Sequence, residues 1–367
     1  MRIIENYLIY YAYHEEKVMN LIKPFAFWKE EKYRICKEYV NIILIAHVIS
    51  PRGNINMNQL QCSKTERFSI EEFNEIYQGI VAAGYFVQCV YYNELDFISD
   101  YTKNPEYFKR SFIYNLSRNG LGNNKKTIIP SFCELVGLNY SCSSSFTCAL
   151  CRNKYFFTKL LEEHNICVPK SWLLKYTGKW DKEPPKDGTK VICKPNCESA
   201  SQGVNQSMIF QASSQNFSKL YGQEYIVQEY IEGAECEVPV FKIGSSLMIF
   251  SPVGIELGKN AILDEQISAE YNYNFYSLTD TQSAYTIDKI VSSAKEAFLL
   301  LQMNTYGRID FRINKKGEPY IMDISTTPYT TRHSSFAFAF SKQGFQYSDI
   351  YEAVISAALY GKEYQLE

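Results

Sequence analysis

Residues 40–50 read VNIILIAHVIS, with a continuous apolar run from Ile42 to Ala46 at its centre. A strand with two apolar faces needs cover on both sides, which an open sheet flanked by helices supplies. A polar stretch follows, PRGNINMNQLQCSKTERFS, and then IEEFNEIYQGIVAAGYFVQCVYY. That segment reads as a helix, a glycine stop at Gly84 and a second apolar strand. This strand–loop–helix–strand order predicts an α/β fold with an open parallel sheet. The 367 residues are 46% hydrophobic and 21% charged, enough chain for two or three modules.

The formal net charge of -2 argues against a general binder of nucleic acid or of membrane surfaces. No apolar run reaches bilayer length, and the first twenty residues carry interspersed charges and no small-residue cleavage site. A cytoplasmic protein is therefore expected. Eleven cysteines are an odd number and are scattered through apolar segments, unlike a disulfide framework. Cys148 and Cys151 form a lone CxxC, and Cys193 and Cys197 lie four apart. Without a second CxxC or a nearby histidine pair, ordinary buried thiols are the expectation.

Along the chain, residues 1–40 read as an amphipathic helical extension. Residues 41–150 read as the N-terminal α/β unit, closed by a loop, a short helix and a β-like piece in RNGLGNNKKTIIPSFCELVGLNYSCSSS. A second composition starts near 151, with helical spacing, strands around 190–194 and a surface turn, DKEPPKDGT. A third unit is expected over 228–367.

Four stretches carry chemistry. VICKPNCESASQGV puts Lys194 at a strand end beside a small-residue loop with Ser201 and Gly203, a pattern that can hold phosphates or be a plain hairpin loop. YIVQEYIEGAECEV offers backbone to an adenine edge and Glu235 to ribose hydroxyls, or is a solvated acidic turn. In YGRIDFRINKKGEPYIMDIS a turn at Lys315, Lys316 and Gly317 joins two strands of period two. Ile309, Phe311 and Ile313 then share one face, and Arg308, Asp310 and Arg312 the other.

Asp is uncommon in strands, and carboxylates at Asp310 and Asp323 on facing strands are costly unless a cation lies between them. Hard oxygen ligands suit Mg²⁺ shared with nucleotide phosphates, with Arg308 placed to stabilise charge on a transferring group. TTPYTTRHSS follows directly and offers hydroxyls and Arg332 to a substrate carboxylate.

The order Lys154 … Lys194-loop … Glu235 … Arg308-x-Asp310 … Asp323-x-Ser325-T-x-P resembles the ATP-grasp superfamily, and within it the D-alanine–D-alanine ligases. The resemblance runs from about residue 41 to the C-terminus. ELVGLNYSCSSSFTCALCRNKYFFTKLL is similar to that family's helix, Y-[ST]-G-S loop and D-K helix. YGRIDFRINKKGEPYIMDISTTPYTTRHSS is similar to its G-x-x-R-x-D … E-x-N-T-x-P-G-x-T-x-x-S segment.

The resemblance implies an ATP-grasp fold behind an N-terminal α/β domain, with central (151–227) and C-terminal (228–367) subdomains enclosing ATP. Lys154 and Lys194 would hold phosphates, with Ser201 and Gly203 on the covering loop. Backbone of Glu229, Tyr230 and Ile231 would meet adenine, and Glu235 the ribose. Asp310, Asp323 and Ser325 would hold Mg²⁺. Ser334 would bind a substrate carboxylate, Glu66 a substrate ammonium, and Arg308 the tetrahedral state formed when an amine attacks an acyl phosphate. The partners implied are a small carboxylate and amine, and the assembly a homodimer.

Departures fall mainly in the substrate region. Ser325 stands for Asn, Asp323 for Glu, Ala200 for a loop serine and Tyr329 for the glycine after the final proline. YNYNFYS has Tyr276 in place of a lysine, and NGLGNNKK replaces H-G-x-x-G-E-D-G. A carboxylate–amine ligase with substrates other than two D-alanines is the expected function. True D-alanine–D-alanine ligation and a weakened ATP-binding regulatory module are the alternatives.

Overall fold

The computed structural model describes residues 29, 35, 37–49 and 66–360. The expected N-terminal helix falls almost wholly outside these residues, as does most of the polar stretch after residue 50.

The apolar run becomes β1 (Asn41–Ala46), one of the two inner strands of a parallel sheet with β2 (Phe86–Tyr91), β3 (Ser111–Leu116) and β4 (Asn139–Tyr140), in the order β2-β1-β3-β4. Ile42 to Ala46 are fully buried, which is why the run has no polar face. Helices α1 (Ile70–Ala82), α2 (Glu94–Lys103) and α3 (Ile128–Val136) connect and cover it. Ser69 caps α1 reciprocally with Glu72: its hydroxyl accepts from Glu72 N (3.1 Å) and its N–H donates to Glu72 Oε2 (2.6 Å). Gly84 takes φ +88° just after the helix, as the sequence predicts.

The next helical segment is two helices, α4 (Ser145–Arg152) and α5 (Lys154–Glu163), meeting at Asn153. An antiparallel sheet follows, from β5 (Ser171–Leu174), β6 (Lys190–Pro195), β7 (Ile209–Gln211), the short helix α6 (Ser214–Ser218) and β8 (Tyr225–Glu229), ordered β5-β8-β6-β7. The third sheet uses β9 (Gly233–Ile243), β10 (Ser246–Ile249), β11 (Val253–Glu256), β12 (Asn274–Ser277), β13 (Tyr306–Asn314) and β14 (Pro319–Ser325). Its order is β12-β11-β9-β13-β14, with β10 paired to β9. Helices α7 (Glu265–Glu270) and α8 (Ala284–Leu300) interrupt it, and α9 (Ser335–Lys342) and α10 (Tyr347–Tyr360) complete the described chain.

Two cores fix the third sheet. Ile309, Phe311 and Ile313 pack with Ile290, Ala294 and Ala297 of α8, which leaves Arg308, Asp310 and Arg312 on the opposite face. On the other side, Phe241, Phe336, Ile350 and Val354 join one buried cluster with Ile43 and Ile113 of the parallel sheet. Helix α10 crosses α1 closely there, since a Cβ on Gly79 would lie 2.1 Å from the Tyr351 ring. Cys148, Cys151 and Cys193 are buried. Among the described residues no helix is long and apolar enough to cross a membrane.

Candidate functional site

Strand register decides the centre of the site. Asp310 of β13 pairs with Asp323 of β14 on one side and with Glu237 of β9 on the other. Three acids therefore lie abreast across three strands. A register shift follows Asp310, because Phe311 pairs with Ile321 and Met322 is the extra residue. Arg308 donates from Nε and Nη2 to the two oxygens of Asp310, both at 2.7 Å, and its Nη1 lies 3.2 Å from Glu237 Oε1. Burial pushes the Asp310 carboxyl upward; Arg308 opposes this, and Glu237 adds to it. Asp323 is held below its usual range: burial would raise it, but Lys154 and Lys194 outweigh burial. Glu237 was not singled out from the sequence, where it is one of several acids in EGAECEV; only pairing with β13 turns it toward Arg308.

Lys154 is the first residue of α5, and its place is set by two asparagines. Asn153 caps the helix by accepting from Phe156 N at 3.0 Å. Asn196, buried just after β6, takes Tyr155 N at 2.9 Å and accepts Lys154 N through its carbonyl at 3.1 Å. The Lys154 ammonium then reaches Asp323 Oδ1 at 3.1 Å and Glu198 O at 2.9 Å. Lys194, near the end of β6, is drawn down to about 8 by burial, with Asp323 opposing and Lys154 adding to the effect.

The covering loop is strained. Ala200 and Ser201 have φ of +53° and +52°, and Gly203 +71°. Ser201 lines the cavity but donates to Leu263 O (3.0 Å), and Gly203 N donates to Glu265 Oε2 (2.9 Å), outside the cavity wall. Glu235 pairs with Arg312, whose guanidinium also donates to Ile231 O (2.6 Å) and Ala261 O (3.0 Å) and stacks on Tyr230 at 5.1 Å. Burial raises the Glu235 carboxyl, with Arg312 opposing. Tyr230 and Glu235 line the main cavity, whereas Glu229 and Ile231 line a separate shallow recess, with Tyr230 shared between them.

Ser334 caps α9 and lines the cavity, its hydroxyl donating to Thr331 O at 2.6 Å. Ser325 also lines it, opposite Arg308 in register. Glu66 is buried and fully engaged: Oε1 faces Arg152 Nη2 (3.0 Å) and the Ser199 hydroxyl, and Oε2 faces Lys125 Nζ (3.4 Å). Burial would raise its pKa, but Lys126, Arg152, Ser199 and Lys125 together hold it down to about 2.

Arg332, expected from the sequence to hold a substrate carboxylate, does not line the cavity. It is exposed, donates its N–H to Glu75 Oε2 (2.8 Å) and stacks on Tyr347 at 4.3 Å. Tyr276 is likewise outside, its ring lying over Gly254, where a Cβ would come within 2.2 Å of it. Tyr271, Tyr273 and Phe275 instead line the wall and surround His333 at ring separations of 4.7, 4.9 and 5.4 Å.

These side chains converge on one cavity of about 530 Å³. Asp310, Asp323 and Ser325 give it two carboxylates and a hydroxyl, hard oxygens that fit Mg²⁺. Among the described residues no three His, Cys, Asp or Glu converge as a metal cluster, so phosphate oxygens and water would have to complete the coordination.

The family model "D-ala D-ala ligase C-terminus" matches residues 170–356. The D-alanine–D-alanine ligase of Cupriavidus metallidurans is 25% identical over 237 residues, covering 61% of this chain and 69% of that protein. D-alanine–D-alanine ligase B of Clostridium perfringens is 25% identical over 236 residues, 63% of this chain and 76% of that one. In fold, the chain is similar to the Bacillus anthracis D-alanine–D-alanine ligase crystallised with ATP, with a TM-score of 0.65 at 18% identity over 87% of this chain and 97% of that chain. The family match spans half of the sequence and takes in β9, β13, β14 and the loop that follows them: the chain belongs to the D-Ala–D-Ala ligase family and is an ATP-grasp ligase.

Proposed function

We propose that the chain is an ATP-dependent carboxylate–amine ligase acting on a pair of substrates other than two D-alanines. The observation that carries this reading is the in-register Asp310–Asp323 pair, faced by Lys154 and lying in one cavity with Lys194 and Arg308. Residues 41–150 would supply a substrate wall, 151–227 the phosphate lysines, and 228–367 the acids and Arg308.

A carboxylate oxygen attacks the γ-phosphorus of ATP, the bond to the bridging oxygen breaks, and ADP leaves. A neutral amine then attacks the acyl carbon, the C–O bond to phosphate breaks, the nitrogen gives up one proton to the departing phosphate, and the amide and hydrogen phosphate remain. Mg²⁺ held by Asp310, Asp323 and Ser325 would neutralise charge on the phosphates. Lys154 and Lys194 orient the triphosphate. Ile192, Ile262, Met322 and Tyr230 give the cavity an apolar part suited to a flat base, and Glu235 accepts from the ribose. Arg308, fixed by Asp310 and Glu237, offers a rigid positive charge to the oxyanion, and rigid donors need no reorganisation as charge develops.

Two features support different substrates. Glu66 is committed to Arg152, Lys125 and Ser199, which leaves it poorly placed to hold a substrate ammonium. Tyr329 stands where the family has glycine and puts a ring into the cavity wall. The test is a hydroxylamine trap with Mg-ATP and a panel of acids. ADP with a hydroxamate from an acid other than D-alanine supports the reading. Dipeptide from D-alanine alone would restore the cell-wall activity, and ATP binding without turnover on any acid would replace both with a regulatory module.

A further inference from the structure

Arg118 is 1% exposed and is the largest fully buried side chain among the described residues. A buried guanidinium ordinarily has a carboxylate partner, because an uncompensated buried charge costs several kcal/mol. No ion pair holds Arg118 among the described residues. Its Nη1 donates to Thr327 O (2.9 Å) and Thr327 Oγ1 (2.8 Å), while Nε and Nη2 find no hydrogen-bond partner. The group lies over the rings of both Phe68 and Tyr329, at 5.4 and 5.3 Å, which themselves meet edge to face at 5.0 Å, and lines the main cavity.

Its backbone is also fixed. Arg118 N donates to His47 Nδ1 at 3.2 Å, so the His47 proton sits on Nε2 and points to Glu94 Oε2 at 3.1 Å. Asn119 Nδ2 donates to the same Glu94 oxygen at 3.0 Å.

A second cation stands on the same wall. Lys126 has φ +67° and closes the loop by donating its N–H to Asn119 O at 2.9 Å. The loop is tight, since a Cβ on Gly120 would lie 2.4 Å from Asn124 O. The Lys126 side chain lines the cavity and makes no ion pair among the described residues. Burial lowers its pKa, and Arg118, Arg152 and Lys154 lower it further against Glu66. The nearby carboxylates Glu66 and Glu198 are already shared by Lys125 and Arg152. Arg118 thus has donors to spare, and Lys126 is answered only by Glu66, whose oxygens are already bonded to Lys125, Arg152 and Ser199; a planar fork with free N–H groups matches a carboxylate.

We propose that Arg118 and Lys126 form an anion subsite that binds a carboxylate additional both to the one being activated and to the acceptor carboxylate expected at Ser334, so that one of the two substrates is an acidic amino acid or another dicarboxylic acid. This rests on the ligase reading above. The activated carboxylate belongs near Asp310 and Asp323, and the second one anchors the substrate through Arg118 at the N-terminal wall.

The test uses the full chain with Mg-ATP and hydroxylamine, comparing succinate with butyrate and L- and D-glutamate with the norvalines. A matching ligation assay compares acidic with neutral amine acceptors. The expected result is at least a tenfold preference in kcat/KM for the dicarboxylic member of a pair, in the hydroxamate arm if the acid donor carries the extra group and in the ligation arm if the amine does. Arg118→Gln should raise KM for that substrate at least tenfold and bring the preference close to one, with the Kd for ATP unchanged. Lys126→Met, at a half-buried position, should shift it in the same direction and serves if the Arg118 variant does not fold.

Ligation with no preference in either arm, or KM unaffected by the folded variants, overturns the subsite and leaves the ligase reading standing. If no acid gives turnover, dicarboxylate binding by thermal shift at fixed ionic strength decides separately. A shift lost in the variants keeps the subsite while the ligase reading falls, and no shift removes the subsite too.

Discussion

Lys154 Nζ lies 3.1 Å from both carboxylate oxygens of Asp323, which ties the first turn of α5 to the end of β14. The two residues are far apart in sequence, and the ammonium favours the ionised form of the Asp323 carboxyl. A triphosphate entering this cavity would compete with Asp323 for the ammonium. Lys154→Met is expected to weaken ATP binding roughly ten- to hundredfold, the scale of one charge-assisted hydrogen bond. Calorimetric titration with a non-hydrolysable ATP analogue measures this, and an unchanged Kd would remove Lys154 from the nucleotide site.

Arg308 holds Asp310 through a planar fork and touches Glu237 with its third nitrogen. Replacing it by alanine leaves buried Glu237 and half-buried Asp310 without their cation and is expected to cost about 3 kcal/mol of stability. Arg308→Lys keeps the charge but loses the fork. It should keep most of the melting temperature while kcat falls by about 10²–10³. Near-normal kcat in the lysine variant would mean that Arg308 is structural only.

Glu66 gives a pH signature. Its folded pKa of about 2 lies below the usual 4.5, so its contribution is fully present above about pH 4.5 and is lost as pH falls toward 2. The shift corresponds to roughly 3 kcal/mol at neutral pH. Urea unfolding of the parent and Glu66→Gln should differ most above pH 5 and converge as the pH approaches 2. Parallel stability curves across that window would argue against the cluster with Arg152 and Lys125.

Gly233 begins β9 where the strand meets β13, and a Cβ there would lie 1.8 Å from the Ile313 carbonyl oxygen. Backbone cannot move aside as a side-chain tip can. Gly233→Ala is expected to cost about 3 kcal/mol or more and to disturb the adjoining Arg312–Glu235 pair. A drop in melting temperature together with weaker ATP binding would bear this out, and an unchanged melting temperature would refute it.

Much of the frame was legible because local periodicity reports burial. The unbroken run at 42–46 and the alternation at 308–313 appear in the structure as a fully buried strand and a two-faced one. The hairpin itself could be read from the short turn, but that register alone would set Asp310 opposite Met322; the bulge after Asp310 moves Asp323 into that place. Arg332 was misjudged for the opposite reason: in an irregular loop no period says which way a side chain points, and Glu75, from a distant helix, captures its backbone.

The sequence by itself determined the α/β class and the hairpin that carries the two acids, because each follows from spacing within one element or one turn, whereas Lys154 entered as a candidate only through the family resemblance. Only tertiary structure decided that Glu237 joins Asp310, that Glu66 is consumed by Arg152 and Lys125, and that Arg118 lines the cavity with two buried nitrogens unbonded. Those facts depend on which charges meet across strands and loops far apart in the chain. Burial then strengthens every such pairing, and every failure to pair, by removing the water that would otherwise screen it.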